Sequence, residues 1–424
     1  MSKDRIPRGS RLSLREQIEG EIREHGPIPF SRYMEICLYD PVAGYYSRNA
    51  EQFGKGGDFY TSSDVHAVFG RLLARQFEEM WQALDRPQQL EILELGPGRG
   101  LFANDVLEWS RKRFPDFFAA LKYTLQESSP ALQAKLQETL GEHIASGHAA
   151  ISIARVARTL LSAQVPEERP KIAQHFSAGT MDCAGEIQRA CESATPLIIF
   201  ANEFFDALPA EILSSQGKLH LALEGDHLKE VWFPPTNEEL EFLDHYSVHP
   251  EASDRIEVPL AAQCWLTQAA KAIERGFLLV VDYGYTRSEQ LAGRHRGTLM
   301  AYRQHSASAN AYQAPGEQDL TAHVNFTALT AAAEHAGMRG EKLITQSQFL
   351  LGIGEKTEFA EAFEECRLPQ ERAKVALQLK HLVTPAGMGE TFHVLLSSRN
   401  INPAKVASLS GLSFGVSEAR FQTP

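Results

Sequence analysis

The sequence predicts an α/β fold, a doubly wound Rossmann-like sheet with an N-terminal helical cap and a β-rich insertion. Three observations predict it. The run Ile92-Leu93-Glu94-Leu95 passes straight into Gly96-Pro97-Gly98-Arg99-Gly100, and a helical pattern begins at Leu101. Strand, glycine turn and helix start are the opening unit of a nucleotide-binding sheet. A second run, Tyr123-Thr124-Leu125-Gln126, ends in the acid Glu127. Further apolar runs at 197–200 and 277–281 alternate with helical stretches, the order that builds parallel sheets.

Taken in order, residues 12–25 carry a helical pattern that Gly26-Pro27 stops, and a second helix is predicted over 30–38, closed by Asp40-Pro41 and Gly44. The stretch Gly54-Lys55-Gly56-Gly57-Asp58 is too rich in glycine for regular structure, and it precedes a strongly amphipathic helix over about 65–84. Residues 1–88 thus form a helical cap and a glycine-rich lid loop. The core spans 89–398, with strands at 92–95, 123–126, 172–176, 197–200 and 277–281, the last ending at Asp282-Tyr283-Gly284. Alternation at 211–213, 220–223 and 229–233 marks 207–274 as the β-rich insertion. Strands at 341–345 and 391–396 are expected to form an antiparallel edge, and 399–424 a peripheral tail.

The spacing narrows the ligand. Gly96, Gly98 and Gly100 give GxGxG, while Leu101 stands where the dinucleotide fingerprint wants its third glycine, which favours a ligand without a pyrophosphate. Glu127, with Ser128 beside it, stands where a carboxylate accepts both hydroxyls of a ribose. Combined with Glu94 just before the loop, the set suits S-adenosylmethionine, whose ammonium and sulfonium charges favour nearby carboxylates. Asp58, on the lid, is a further candidate for the ammonium. The competing reading is that Glu94 and Glu127 cap surface turns.

A second informative stretch is Asn202-Glu203-Phe204-Phe205-Asp206-Ala207-Leu208-Pro209, at the end of the 197–200 strand. Ligands of doubly wound sheets sit outside the carboxyl ends of the strands, so Asn202, Glu203 and Asp206 are expected at the mouth of the cleft. The alternative is a helix start with Asn202 as N-cap and the acids in its first turn. Methyl transfer needs an acceptor aligned and water excluded. A guanidinium acceptor is too basic to lose its proton beforehand, but paired carboxylates can orient it and take the proton released. Phe204, Phe205 and Tyr283 are candidates to stack on it, with core packing expected for at least two of the three. Asp282, Asp319 and His323 are further candidates at strand or loop ends.

Composition excludes some classes. Lys+Arg number 42 against 54 Asp+Glu, a formal charge of −12 that argues against nucleic acid as a partner. Five dispersed cysteines, Cys37, Cys183, Cys191, Cys264 and Cys366, contain no CxxC pair, which points to reduced thiols and no structural zinc. No HExxH or GxSxG pattern supports a metal site or a serine hydrolase. No apolar run approaches a membrane span, and no signal-peptide core is evident, so the chain is read as soluble and cytoplasmic. The sequence leaves its oligomeric state open.

With these residues in hand, the chain resembles the MidA family of S-adenosylmethionine-dependent methyltransferases. The ordered motifs are Leu38-Tyr39-Asp40-Pro41 with Gly44-Tyr45-Tyr46, Gly56-Gly57-Asp58-Phe59 with Thr61-Ser62, Glu94 to Gly100, Asn202 to Pro209, Asp282-Tyr283-Gly284 and Asp319-Leu320-Thr321-Ala322-His323. Ser63-Asp64 departs from the Pro-Glu of the family pattern. The resemblance implies a class I methyltransferase fold and cofactor binding at Gly96, Gly98, Gly100 and Glu127. It also implies a protein arginine as acceptor, since the mitochondrial members are arginine methyltransferases needed to assemble a respiratory complex. A respiratory complex subunit is therefore the expected kind of partner. The other functions kept open are a non-catalytic assembly or chaperone protein that binds the cofactor and a small-molecule methyltransferase.

Overall fold

The computed structural model describes residues 13–48, 67–152, 195–303, 306–308 and 310–414. The strand expected at 172–176 and the lid loop lie outside the described residues. We number the main strands of the core sheet β1 (Leu90–Leu95), β2 (Leu121–Gln126), β3 (Ala149–Ser152), β4 (Leu197–Asn202), β5 (Gly276–Tyr285) and β6 (Phe392–Arg399). They lie in the order β6-β5-β4-β1-β2-β3. β1 to β5 are parallel to their neighbours, and β6 runs antiparallel to β5. The short strands Arg339–Gly340 and Ile344–Thr345 pair with β6 on its other side, also antiparallel. This is the mixed α/β sheet of class I methyltransferases, with the antiparallel edge expected from the sequence.

Apolar runs become these strands because both faces are covered. On one face Phe200 of β4 packs with Phe69, Phe77, Phe102 and Trp109, supplied by the helices Ala67–Ala83 and Leu101–Arg113. On the other, Leu93, Ile199 and Leu278 meet the helices Leu260–Ala272 and Phe326–His335 through Trp265, Leu266 and Leu329. The strand order reverses direction between β1 and β4, so the crevice outside their carboxyl ends is the place for a ligand.

Several elements differ from expectation, each for a local reason. β5 does not end at Asp282-Tyr283-Gly284 but runs to Tyr285, because Asp282 is buried and its carboxylate is satisfied by three backbone amides. The insertion is only partly β. Glu211–Ser214, Gly217–Glu224, His227–Phe233 and Ile256–Val258 form a sheet, but the helix Asn237–Tyr246 sits among them, started by a capping box between Thr236 and Glu239. The N-terminal segment is not purely helical. Between its helices Leu14–His25 and Phe30–Tyr39, Ile28–Pro29 adds a strand to that sheet by pairing with His220 and Leu221. Cap and insertion share one core, built from Ile18, Phe30, Tyr33, Ile212, Leu219 and Leu320. Residues 403–414, expected to be peripheral, are anchored. Gln76 and Glu79, buried on the Ala67–Ala83 helix, accept the backbone amides of Gly411 and Ser410.

Candidate active site

After Leu95 the chain turns with Gly96, Gly98 and Gly100 all in the left-handed region, at φ of 63°, 54° and 75°. Backbone bonds from Gly96 N to Gln126 O (3.1 Å) and from Gly100 N to Pro97 O (2.9 Å) fix the turn. The three glycines meet different surroundings. A Cβ on Gly96 would lie 2.9 Å from the Phe204 ring, and one on Gly100 would lie 2.6 Å from Leu136. A Cβ on Gly98 would meet nothing within 4 Å among the described residues. Gly96 and Gly100 are therefore packing positions, and Gly98 faces open space where another molecule can approach the backbone.

Two buried carboxyls belong to the strand ends that meet at this turn. Glu127 follows β2, and its carboxylate accepts the Ser129 amide at 2.8 Å. Burial pushes its pKa up to about 7, against the opposing pull of the Ser129, Ser128 and Gly98 amides. The acid at the end of β2 thus adjoins Gly98. Glu94, on β1, accepts the Tyr123 hydroxyl at 3.0 Å, and burial pushes it up to about 8. Neither residue caps a surface turn, because both are buried.

Beyond β4 the chain does not start a helix. Asn202 closes the strand, and its amide nitrogen donates to Glu203 Oε1 at 3.1 Å rather than capping. Glu203 adopts a left-handed φ of 49°, a conformation that costs a non-glycine residue energy and redirects the chain. The turn is held from the neighbouring strand: Asp282 Oδ2 accepts the amides of Phe204 (3.1 Å) and Phe205 (3.0 Å), and Oδ1 that of Tyr283 (2.9 Å). Asp206 then sits beneath Tyr283, whose hydroxyl donates to its Oδ2. Asp206 is 5% exposed, and its Oδ1 has no hydrogen-bond partner among the described residues. Burial raises it to about 6, with the Tyr283 hydroxyl and neighbouring amides pulling the other way. Asp282 is held well above the carboxylate range by burial and by the charges of Asp206 and Glu203.

Gly98, Glu127 and Ser128 lie together after β1 and β2, Gly96 and Gly100 pack on either side of Gly98, Glu94 is buried within β1, and Asn202, Glu203 and Asp206 lie at the adjoining end of β4. Asp58 lies outside the described residues. Phe204 and Phe205 both pack edge-on to Trp265, so they serve the core, while Tyr283 turns its hydroxyl to Asp206. His323 lies edge-on to Tyr283 at 5.2 Å and bonds His295 (3.3 Å), with burial pushing it down to about 4. Sequence reasoning gave neither a place here to Tyr302, whose hydroxyl pKa is held up by burial and by the charges of Asp206 and Asp319, nor an anchoring part to Asp282. The buried Asp282 within an apolar strand was the available signal for the second; nothing in the sequence marks the first.

A sheet of this order, with the antiparallel β6 at its edge, a GxGxG turn after β1 and an acid after β2, is the arrangement of class I S-adenosylmethionine-dependent methyltransferases. The model of the family described as "Putative S-adenosyl-L-methionine-dependent methyltransferase" matches residues 72–344, and the chain belongs to that family. Its fold matches that of a Burkholderia thailandensis protein crystallised with S-adenosyl-homocysteine, at a TM-score of 0.74 and 26% identity over 94% of each chain. It is 29% identical over 398 residues to the mitochondrial protein arginine methyltransferase NDUFAF7 homolog of Drosophila melanogaster, covering 90% of this chain and 84% of the relative. Identity to the mitochondrial NDUFAF7 of Homo sapiens is 27% over 386 residues, 88% of this chain and 80% of that one. The chain is thus an S-adenosylmethionine-dependent methyltransferase related to the MidA and NDUFAF7 proteins. The space beside Gly98 and the buried acid adjoining it fit that cofactor. The expectation of a cytoplasmic protein is overturned, because the curated relatives it matches are mitochondrial proteins. Among the described residues, no helix is long and apolar enough to cross a membrane.

Proposed function

We propose that the chain methylates an arginine side chain of a partner protein, with a respiratory complex subunit as the kind of partner the family resemblance implies. The observation that carries this reading is the buried carboxyl of Asp206, with one oxygen bonded to Tyr283 and the other without a hydrogen-bond partner among the described residues, at the strand end beside the cofactor crevice. A buried carboxylate oxygen without a donor is costly, and an acceptor cation relieves that cost. The names of the curated relatives, protein arginine methyltransferases, support the same acceptor.

In this reading the backbone at Gly98 lies against the cofactor, Glu127 and Ser128 hold its ribose, and Glu94 attracts its positive end, with Asp58 assigned to the lid. Bound S-adenosylmethionine supplies a sulfonium methyl group, whose S–C bond breaks as an N–C bond to the acceptor forms. Asp206 holds the acceptor nitrogen by a charge-assisted hydrogen bond and takes the proton that nitrogen loses. Asn202 and Glu203, bonded to each other, orient the acceptor from the strand end. The test is label transfer from methyl-tritiated S-adenosylmethionine into the proteins of a cell lysate, followed by hydrolysis and amino-acid analysis. Label in methylarginine is the expected result. Label in another residue, or none despite cofactor binding, would refute the acceptor.

A further inference from the structure

We infer that Asp319 is a second acceptor carboxylate, set across from Asp206 beneath a rim formed by Tyr39, Tyr46 and Tyr302, and that the recess between them takes a guanidinium-type cation. This rests on the methyl-transfer reading and names the far wall of the same site.

Two hydrogen bonds tie the motifs at 38–46 and 319–323 to the Asp206 turn, and a third joins the two motifs to each other. Tyr39 donates its hydroxyl to Ala207 O at 2.9 Å, and the Ala322 amide donates to Asp206 O at 2.9 Å. Tyr46 donates its hydroxyl to Asp319 Oδ1 at 2.8 Å. Asp319 opens the strand Asp319–Thr321, where it lies opposite Tyr302 on the strand Met300–Arg303. Both Asp206 and Asp319 are 5% exposed, whereas Tyr39, Tyr46 and Tyr302 are half-buried. The arrangement is two deep acids under three partly open rings.

The two acids also act on the same rings. Burial, and after it the charges of both Asp206 and Asp319, hold the hydroxyls of Tyr39, Tyr46 and Tyr302 above the usual tyrosine range. The Ala322 amide, three residues beyond Asp319, bonds Asp206 O, so the two buried carboxyls share one neighbourhood, and a cation held by both offsets their charge. Among the described residues Asp206 Oδ1 has no hydrogen-bond partner, an independent sign that this place suits a donor. A guanidinium suits it better than an ammonium. Its planar fork can bond two carboxylates at once while its face lies on a tyrosine ring.

The experiment titrates N-ethylguanidinium, n-butylammonium and the neutral N-ethylurea into the full chain loaded with S-adenosyl-homocysteine, followed by calorimetry. The expected order is N-ethylguanidinium tightest and N-ethylurea without measurable binding. Asp319→Asn should weaken N-ethylguanidinium by about tenfold, since a buried charged hydrogen bond is lost. Tyr46→Phe keeps the ring and removes one bond to Asp319, so it should weaken binding by about two- to fivefold and serves if Asp319→Asn does not fold. S-adenosyl-homocysteine affinity should be unchanged in both variants. Unchanged N-ethylguanidinium affinity in the folded variants, or equal binding of N-ethylurea, overturns the inference while leaving the cofactor reading standing. Failure of the wild-type chain to bind S-adenosyl-homocysteine would instead strike the reading on which it rests.

Discussion

Tyr283 donates its hydroxyl to Asp206 Oδ2, joining the end of β5 to the turn that follows β4. The bond favours the ionised carboxylate, while burial works against it and leaves Asp206 near 6. If Asp206 must be ionised to hold the acceptor and take its proton, kcat/KM for methyl transfer rises with pH through about 6, the value for the free enzyme. Tyr283→Phe removes the donor, so the rise should move upward by about one pH unit and the plateau should fall about tenfold. Asp206→Asn should abolish transfer with cofactor affinity kept. A Tyr283→Phe profile that coincides with wild type would show that the pair does not govern the reaction.

Asp282 anchors the same turn from below, accepting the amides of Phe204, Phe205 and Tyr283. Asp282→Ala leaves three amides without that acceptor at a buried position, so chemical denaturation should show a loss of about 2–4 kcal/mol. Glu203→Gln, by contrast, sits half-buried at the rim and should spare stability and cofactor affinity while reducing transfer. A loss under about 1 kcal/mol for Asp282→Ala would mean that water or a rearranged turn replaces the carboxylate.

These two acids show what a sequence discloses. Leu197 to Phe200 is legible as a strand because a parallel strand covered on both faces must be a continuous apolar run. Asp282 reads as a strand end because a charge inside a sheet is costly; the amides of a turn 77 and 78 residues away, with that of Tyr283, help to make its burial tolerable. Asn202 has the composition of a helix cap, and nothing local distinguishes that from a strand end followed by a left-handed Glu203. The glycine turn and the acids Glu94 and Glu127 were visible because their spacing is local. The contact of Tyr46 with Asp319, across 273 residues, was not, since it depends on how cap and insertion fold together.

The glycine turn separates ligand contact from packing. Gly98→Ala adds a methyl group to open space, so the fold should lose only about 1–2 kcal/mol for the left-handed backbone, yet cofactor affinity should fall at least about tenfold. Gly96→Ala and Gly100→Ala drive a methyl group into Phe204 and Leu136 and should lower the melting temperature more than Gly98→Ala does. Calorimetric binding of S-adenosyl-homocysteine alongside thermal melts decides it. Normal affinity in Gly98→Ala would remove that backbone from the cofactor site.

Glu94 and Glu127 make a prediction about protons. Burial holds them near 8 and near 7, so at about pH 7 Glu94 is mostly neutral and Glu127 about half ionised. A cation favours the ionised form of Glu94, and ribose hydroxyls favour that of Glu127. Cofactor binding at neutral pH should therefore release protons, and affinity should rise between about pH 6 and 8. The same shifts fix the sign for the unliganded fold. Because the folded pKa values exceed the unfolded ones, the folded chain holds protons that the unfolded chain has lost. The stability these two groups contribute is then full below about pH 4.5 and declines as pH rises toward 8. Glu94→Gln keeps an acceptor for Tyr123 and removes the titration, so its melting temperature should match wild type near pH 4.5 and exceed it near pH 8.5, with fewer protons released on binding. Calorimetry in two buffers of different ionisation enthalpy counts those protons; the same count in wild type and Glu94→Gln would place Glu94 outside the cofactor's reach.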